Sequence, residues 1–348
     1  MSPFVLTALL FSLSLGTTLT FASSHWLLAW MGLELNTMAI LPLMAQNHHP
    51  RAIEATTKYF LTQATAAAMI LFASITNAWI LGEWNIQLTS HPLATTMIML
   101  ALSLKVGLAP MHFWLPEVLQ GLDLTTGLIL STWQKLAPFA LILQLSSANS
   151  SLLIFLGLTS TLVGGWGGLN QTQTRKILAY SSIAHLGWMI LIIKFTPHLT
   201  LLALLLYVVM TSSVFLTLKL TNGLTINTLA TSWTKAPAIS TIAPLALLSL
   251  GGLPPLSGFM PKWLILQELA KQHLPLTATL AALSALLSLF FYLRVSYSMT
   301  LTMSPNTVSA SAPWRLQNHQ FTLLLAFMTT LTILLLPITP TILSILPS

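Results

Sequence analysis

Five ionisable side chains stand inside long apolar stretches of the sequence, and they are Glu34, Lys105, Lys135, His185 and Lys262. Carboxylate, ammonium and imidazole groups each bind and release protons, so the chemistry that they suggest is proton transfer. His185 follows Ser181 and Ser182 by one helical turn on the same face. A histidine that only hydrogen-bonds to serine, and an inert buried ion pair that orients helices, are the alternatives.

The depth of these residues in the membrane favours the proton path. Lys105 and Lys135 each lie far enough into an apolar stretch to stand about 16–18 Å deep, near the midplane of a bilayer. Glu34 lies about 13 Å deep. A charge at such depth costs about 2.5–3.5 kcal/mol on insertion scales, so it faces the interior of a helix bundle and usually marks an ion or proton path.

The composition requires lipid around the chain. Of 348 residues, 55% are hydrophobic and only 5% are charged, against about 25% charged in a soluble domain. The chain has no cysteine, which excludes disulfides, thiolate-ligated iron–sulfur clusters, c-type haem attachment and a cysteine nucleophile in this chain. Any redox chemistry would therefore have to be done by a partner.

The charge balance does not indicate a nucleic-acid partner. The net charge is +7, but the longest basic run is Arg175-Lys176, and clustered basic residues are what phosphates require. The adjacent His48 and His49 have no third ligand nearby, and the glycines near position 165 fit no nucleotide-binding motif. We therefore expect no nucleic acid, metal or nucleotide on this chain.

The apolar stretches predict an all-α, polytopic membrane protein of about eleven transmembrane helices in one membrane domain over 1–348. The predicted limits are 3–21, 25–46, 54–80, 93–116, 124–145, 150–169, 176–194, 198–221, 238–271, 275–302 and 321–343. If these spans alternate, one side receives eight basic residues and the other only Lys194 and Lys271. The eight are Arg51, Lys58, Arg175, Lys176, Lys219, Lys235, Arg294 and Arg315. This bias places the N-terminus on the cytoplasm-equivalent side and the C-terminus opposite.

Two spans contain pairs of prolines at matching positions and are predicted to be broken in the membrane. Aligning Gly107 with Gly252 also aligns two prolines after each glycine, and such prolines remove backbone donors. Broken helices at corresponding positions indicate an inverted repeat with an ion site at the breaks. The predicted repeats cover 3–145 and 150–302, five helices each, with an additional C-terminal helix over 321–343. The lysines are out of register, since Lys105 aligns with Leu250.

Several long strings resemble the antiporter-like membrane subunits of respiratory complex I, the NADH:ubiquinone oxidoreductase. They are HWLLAWMGLELNT around Glu34, KVGLAPMHFWLPEV from Lys105, STWQKLAP around Lys135, RKILAYSSIAHLGW from Arg175 and GGLPPLSGFMPKW from Gly251. The resemblance covers essentially the whole chain. The chain lacks the extra N-terminal helices of the longer bacterial relatives, which resembles the shortened mitochondrial form made inside the organelle.

The resemblance implies a proton-translocating module of the mitochondrial inner membrane, with the N-terminus on the matrix side and the C-terminus on the intermembrane-space side. It implies that Glu34 and Lys105 form a charge pair, that Lys135 is the next relay site and that Lys262 ends the axis, with His185 on the same axis between the halves. Other core and accessory subunits would bind NADH, FMN, iron–sulfur clusters and ubiquinone. This chain would bind no cofactor and would contact membrane lipids, water and protons.

Two other functions fit the same residues. A stand-alone cation/proton antiporter would also use broken helices and buried charges. A non-conducting structural subunit would merely fill the membrane arm. Moving one charge against the membrane potential costs about 2.3 kcal/mol per 100 mV, and the sequence offers no ATP site or redox centre. This supports a subunit driven by the redox chemistry of its neighbours.

Overall fold

A computed structural model describes residues 2–46, 48–145, 149–234, 236–301 and 322–345. In these ranges the chain forms helices and no β-sheet. The chain divides into two compact units, Met1–Leu156 and Gly157–Ser348. The predicted basic residues Lys235 and Arg315, and the predicted span limits at 302 and 321, lie outside the described residues.

The first unit is a bundle of seven helices followed by the start of an eighth. They are α1 (Pro3–Ala22), α2 (Trp26–Met44), α3 (Pro50–Leu81), α4 (Pro92–Val106), α5 (Trp114–Gly121), α6 (Leu124–Ser131), α7 (Trp133–Gln144) and α8 (Ser150–Gly168), which crosses the unit boundary. Proline begins α1, α3 and α4, where its fixed φ suits the first turn and its missing N–H leaves no bond unmade. The backbones of α1 and α2 approach closely at Gly16 and Gly32, as small residues allow between membrane helices.

The second unit continues with α9 (Thr174–Ile192), α10 (Pro197–Thr221), the short α11 (Ile226–Ala230), α12 (Pro237–Gly251), α13 (Phe259–Lys271), α14 (Pro275–Thr300), α15 (Leu323–Leu334) and α16 (Thr339–Ile345). Helix α9 is buried over most of its length, from Ile177 to Ile192. A helix that is apolar and buried all round is the core of its unit. His185 lies in the middle of this core helix.

Each predicted span coincides with a helix or with a pair of helices, and the all-α membrane fold is confirmed. Within the described ranges, six single helices and the pair α6–α7 taken together are long and apolar enough to cross a membrane, and α4 and α12 are shorter apolar helices. The number of eleven crossings stays a prediction. The two predicted breaks are present, because α4 and α5 are separated by residues 107–113, and α12 and α13 by residues 252–258.

Two spans differ from the predicted continuous helices. The span predicted over 124–145 is interrupted at Thr132, whose φ of −112° and ψ of −69° separate α6 from α7. The hydroxyl of Thr132 donates to the Leu128 carbonyl, and Pro138 inside α7 cannot donate a backbone bond. The predicted last span is a pair of helical segments bent by 68°, with Pro337 at the bend.

The two units share local features at positions that the predicted repeat aligns. In the first unit, His25 before α2 bridges Asn85 after α3, with bonds from the Trp26 N–H to the Trp84 carbonyl (3.1 Å) and from the Ile86 N–H to the Ser24 carbonyl (3.0 Å). The second unit has the same arrangement before α9 and after α10. There Gln173 bridges Thr225, and the corresponding bonds measure 3.2 and 3.1 Å. The five-helix repeat, and its inversion, stay predictions that these features support.

Candidate proton-relay site

The break in the first unit begins where α4 ends at Gly107. Gly107 has a left-handed φ of +87°, and its N–H and that of Leu108 both donate to the Ser103 carbonyl at 2.9 Å. A residue with a Cβ is strained in this conformation, which is why glycine ends so many helices. The indole of Trp114, at the start of α5, donates to the Leu104 carbonyl at 3.0 Å. One carbonyl at the end of α4 therefore accepts its hydrogen bond from a side chain of α5, across the break.

Lys105 lies in the last turn of α4, and Lys135 lies in the first turn of α7, just after the interruption at Thr132. Their side chains are deeply buried, with 6% and 3% of their surface exposed. Both breaks therefore place a lysine next to backbone that departs from the regular helix. The sequence predicted the break beside Lys105 but not the one beside Lys135.

One cavity joins the two lysines. The cavity has a volume of about 20 Å³, and one water molecule needs roughly 10–15 Å³. The lining side chains come from six helices of the first unit, and they are Leu33, Asn36, Thr37, Tyr59, Gln63, Lys105, Val106, Trp114, Leu130, Gln134, Lys135 and Pro138. Among the described residues, the Lys105 Nζ and the Gln63 Nε2 have no hydrogen-bond partner although both atoms are buried. The cavity is therefore polar and large enough for water.

Glu34 is connected to this cavity by Thr37, which follows it by one turn on α2. The Thr37 hydroxyl lies 3.0 Å from the Glu34 Oε2 and 2.9 Å from the Glu34 backbone carbonyl. The carboxylate also acts electrostatically on Lys105 and on the buried Tyr59. The predicted Glu34–Lys105 charge pair is not a contact, since it is absent from the ion pairs within 4.0 Å in the described ranges. The two charges still interact at longer range, because Lys105 is buried and the interior around it screens charges weakly.

The break in the second unit repeats the backbone of the first. Gly252 ends α12 with a φ of +79°, and the Leu253 N–H donates to the Leu248 carbonyl, the position that Ser103 holds before Gly107. Lys262, in the first turn of α13, donates to the Gly251 carbonyl at 2.7 Å. A cation here satisfies an orphan carbonyl and interacts favourably with the negative end of α12.

His185 is buried in α9 beside Tyr207 of α10, with ring centroids 5.7 Å apart. The Ser181 hydroxyl donates to the Leu178 carbonyl at 2.7 Å, and the Ser182 hydroxyl donates to the Ala179 carbonyl at 2.8 Å. Both hydroxyls thus bond to the preceding turn of α9, and Ser182 also hydrogen-bonds to the Tyr207 side chain. Within the second unit, the structure gives Lys262 a carbonyl partner and His185 a tyrosine neighbour.

Sequence reasoning missed the uncharged polar residues of the cavity. Thr37, Tyr59 and Gln63 line it beside the lysines, yet none of them belongs to a charged motif. One signal was available for Thr37, because residues three apart on a helix share a face and Thr37 follows Glu34 by one turn. Tyr59 and Gln63 are themselves one turn apart on α3, but nothing in the sequence shows that α3 faces α4.

An ion cluster ties the second half of the broken helix to α3. Lys58 contacts Glu54, one turn earlier on α3, at 2.8 Å and also contacts Glu117 of α5 at 2.7 Å. The side chains are 43–63% exposed, so these pairs contribute little to stability but help to orient α5. Within the described ranges, no group of three or more His, Cys, Asp or Glu side chains could hold a metal ion.

Comparisons with known proteins agree with this fold and site. A family model described as the transmembrane region of NADH:quinone oxidoreductase and Mrp antiporter subunits matches residues 23–288. A second, described as the C-terminus of NADH dehydrogenase subunit 2, matches residues 289–343. The chain therefore belongs to the antiporter-like membrane subunits, and among them to the NADH-ubiquinone oxidoreductase chain 2 family.

Individual relatives cover almost the whole chain. NADH-ubiquinone oxidoreductase chain 2 of Salmo salar is 74% identical over 347 residues, which are 99% of each chain. A chain in the structure of respiratory complex I from Thermus thermophilus superposes with a TM-score of 0.87 at 28% identity, covering 99% of this chain and 81% of that one. A chain of the Mrp complex from Dietzia sp. shares the fold, with a TM-score of 0.82 at 15% identity, covering 97% of this chain and 77% of that one.

Proposed function

We propose that this chain translocates protons across the mitochondrial inner membrane as a core membrane-arm subunit of NADH:ubiquinone oxidoreductase. The observation that carries the proposal is the cavity of the first unit, where two buried lysines from different helices share one polar, water-sized space. An apolar helix bundle has no packing reason to bring two ammonium groups together, since each buried charge is costly.

Lys105 and Lys135 are the central relay groups of the first unit. The two amines share the cavity, and the carboxylate of Glu34 acts electrostatically on Lys105. A proton bound at either lysine therefore raises the electrostatic cost of a proton at the other. Water that enters the cavity can hydrogen-bond to the free Lys105 ammonium and carry the proton between the two sites.

Lys262 and His185 are the relay groups that we assign to the second unit. Lys262 must leave the Gly251 carbonyl before its nitrogen can receive or pass a proton, so its exchange is coupled to a local movement at the break. His185 is buried next to the Tyr207 ring in the core helix of the unit. An imidazole can bind a proton at one nitrogen and release one from the other.

The energy for this transport comes from partners. Moving a charge against the membrane potential costs about 2.3 kcal/mol per 100 mV. We infer that NADH, FMN, the iron–sulfur clusters and ubiquinone are handled by other core and accessory subunits of the complex, and that this chain binds no cofactor. The excess of basic residues on one side supports an N-terminus in the matrix and a C-terminus in the intermembrane space.

The test is the substitution Lys135→Met in the assembled complex. We expect NADH-driven proton pumping in reconstituted vesicles to fall at least about tenfold, because methionine fills the space of lysine but carries no proton. Lys271→Met is the matched control, since Lys271 is 62% exposed and pairs only with Glu268 one turn away. Native gel electrophoresis checks that both variants assemble.

The outcome of this test separates the three functions. Normal pumping by an assembled complex with Lys135→Met would contradict the proton-relay role and favour a structural subunit. Ion exchange by the purified chain alone, reconstituted without its partners, would favour the stand-alone antiporter. Loss of pumping with Lys135→Met but not with Lys271→Met supports the proposed function.

A further inference from the structure

We propose that Thr37 is a positioning residue that connects Glu34 to the lysine cavity and switches its hydrogen bond when Glu34 gains or loses a proton. This inference rests on the proposed function and deepens it. It starts from an unusual local geometry, because the Thr37 hydroxyl is within hydrogen-bonding distance of two acceptors of the same residue. The Glu34 carboxylate oxygen lies at 3.0 Å and the Glu34 backbone carbonyl at 2.9 Å.

A threonine hydroxyl has a single proton and can donate it fully to only one acceptor. When Glu34 is ionised, the charge-assisted bond to the carboxylate is the stronger of the two. When Glu34 binds a proton, its carboxyl O–H can donate to the Thr37 oxygen, and the Thr37 hydroxyl then donates to the backbone carbonyl. Both arrangements satisfy every partner without moving the helix, so the hydroxyl changes direction with the proton on Glu34.

The location of Thr37 ties this change to the lysines. Thr37 lines the cavity that Lys105 and Lys135 share, whereas Glu34 is not among its lining residues. Thr37 is itself buried, with 6% of its surface exposed, and its hydrogen bonds to the half-buried Glu34 are partly shielded from solvent. Because the Thr37 hydroxyl donates to Glu34 in both states, its direction decides how many lone pairs of the Thr37 oxygen remain to accept hydrogen bonds from the lysines or from water in the cavity.

Most buried threonines of the described ranges have a hydroxyl that contacts a backbone carbonyl but no carboxylate. Thr56 of α3 is buried to a similar extent, with 8% exposed, and its hydroxyl donates to the Ile53 carbonyl at 2.7 Å. Such a bond to the preceding turn is the ordinary habit of threonine in a membrane helix. Thr56 is therefore a matched control, with the same side chain and a similar burial, but outside the cavity lining.

The experiment compares variants of the assembled complex in vesicles. Thr37→Val keeps the shape and removes the hydroxyl, and we expect it to lower NADH-driven proton pumping about tenfold, the change produced by losing one hydrogen bond to a charged group. Thr37→Ser keeps the hydroxyl and should pump at nearly the normal rate. Thr56→Val should pump normally. Glu34→Gln and the double variant Glu34→Gln, Thr37→Val should pump equally, because Thr37 acts through Glu34.

Three results would overturn the inference. They are normal pumping with Thr37→Val, a loss with Thr37→Ser as large as that with Thr37→Val, and a further loss in the double variant beyond Glu34→Gln. If Thr37→Val does not assemble on a native gel, Thr37→Ala removes the same hydroxyl without adding a methyl group. Failure of the proposed function is distinguishable, because it appears as normal pumping with Lys135→Met whatever the Thr37 variants do.

Discussion

Lys105 lies just before the glycine that ends α4, whereas Lys262 follows the corresponding break and reaches back from α13 to the end of α12. The backbone of the two breaks is alike, with Gly107 and Gly252 both left-handed and both followed by the same carbonyl bonds. The side chains differ. Lys105 has no hydrogen-bond partner among the described residues, while Lys262 donates to the Gly251 carbonyl at 2.7 Å.

This difference shows that a lysine at a broken helix can have two roles. Lys262 completes the end of a helix, so its charge is stabilised where it lies. The free ammonium of Lys105 faces a polar cavity and can exchange its proton with water there. One kind of helix break thus holds its lysine on a backbone carbonyl in the second unit and, among the described residues, leaves it without a hydrogen-bond partner in the first.

The largest effect should come from replacing Lys105 and Lys262 with methionine, one at a time, and comparing the heat stability of the two variants. Lys262→Met should lower the stability by about 1.5–3 kcal/mol, because a carbonyl loses a charged donor. Lys105→Met should cost less stability, because the Lys105 ammonium has no hydrogen-bond partner to lose and interacts with Glu34 only at longer range. The measurement is the temperature at which the complex releases this chain, read on native gels after heating. Equal destabilisation by both changes would contradict the comparison.

An intermediate effect should follow from adding a methyl group at the two glycines. Gly107→Ala and Gly252→Ala should each cost about 1–2 kcal/mol, since both positions are left-handed. A Cβ at position 107 would meet the flexible end of Leu115 at 2.7 Å, whereas one at position 252 would meet the Nζ of Lys262 at 3.0 Å. We therefore expect Gly252→Ala to displace Lys262 and to reduce pumping as well as stability. The two units differ less than we infer if Gly107→Ala and Gly252→Ala reduce pumping equally.

The smallest effect should come from the ion cluster at α5. Glu117→Gln removes one of the two carboxylates that hold Lys58 and loosens the link between α3 and α5. These groups are exposed and screened by salt, so we expect a small loss of heat resistance that disappears at high ionic strength. Glu268→Gln is the control, since its pair with Lys271 lies within α13 and links no helices. A loss that persists in high salt would mean that Glu117 acts by packing.

The sequence predicted the breaks well because their causes are local. Glycine and proline act within a few residues of their own position, so Gly107 and Gly252 mark the helix ends without knowledge of any neighbour. The interruption at Thr132 escaped prediction because Pro138 lies six positions later and threonine is common in intact membrane helices. The candidate relay residues Glu34, Lys105 and Lys135 were predicted from their depth alone.

The contacts among these residues could not be predicted in the same way. The resemblance implied a Glu34–Lys105 charge pair, but only the structure shows that the two groups lie more than 4.0 Å apart and that Thr37, which contacts Glu34, lines the cavity. Tyr59 and Gln63 join the site because α3 packs beside α4 and places one of its turns opposite Lys105. Apolar helices of uniform composition carry little information about which face meets which neighbour.

The sequence by itself determined that the chain lies in a membrane, where the breaks at Gly107 and Gly252 fall, and which ionisable side chains stand inside the apolar stretches. Composition, apolar length and proline or glycine position act along the chain, and they need no partner to take effect. Only the tertiary structure decided that Lys105 and Lys135 share one cavity, that Lys262 caps a helix and that Thr37 lies between Glu34 and the lysines. These relations depend on the rotation and packing of separate helices, which side-chain shape fixes only when the helices meet.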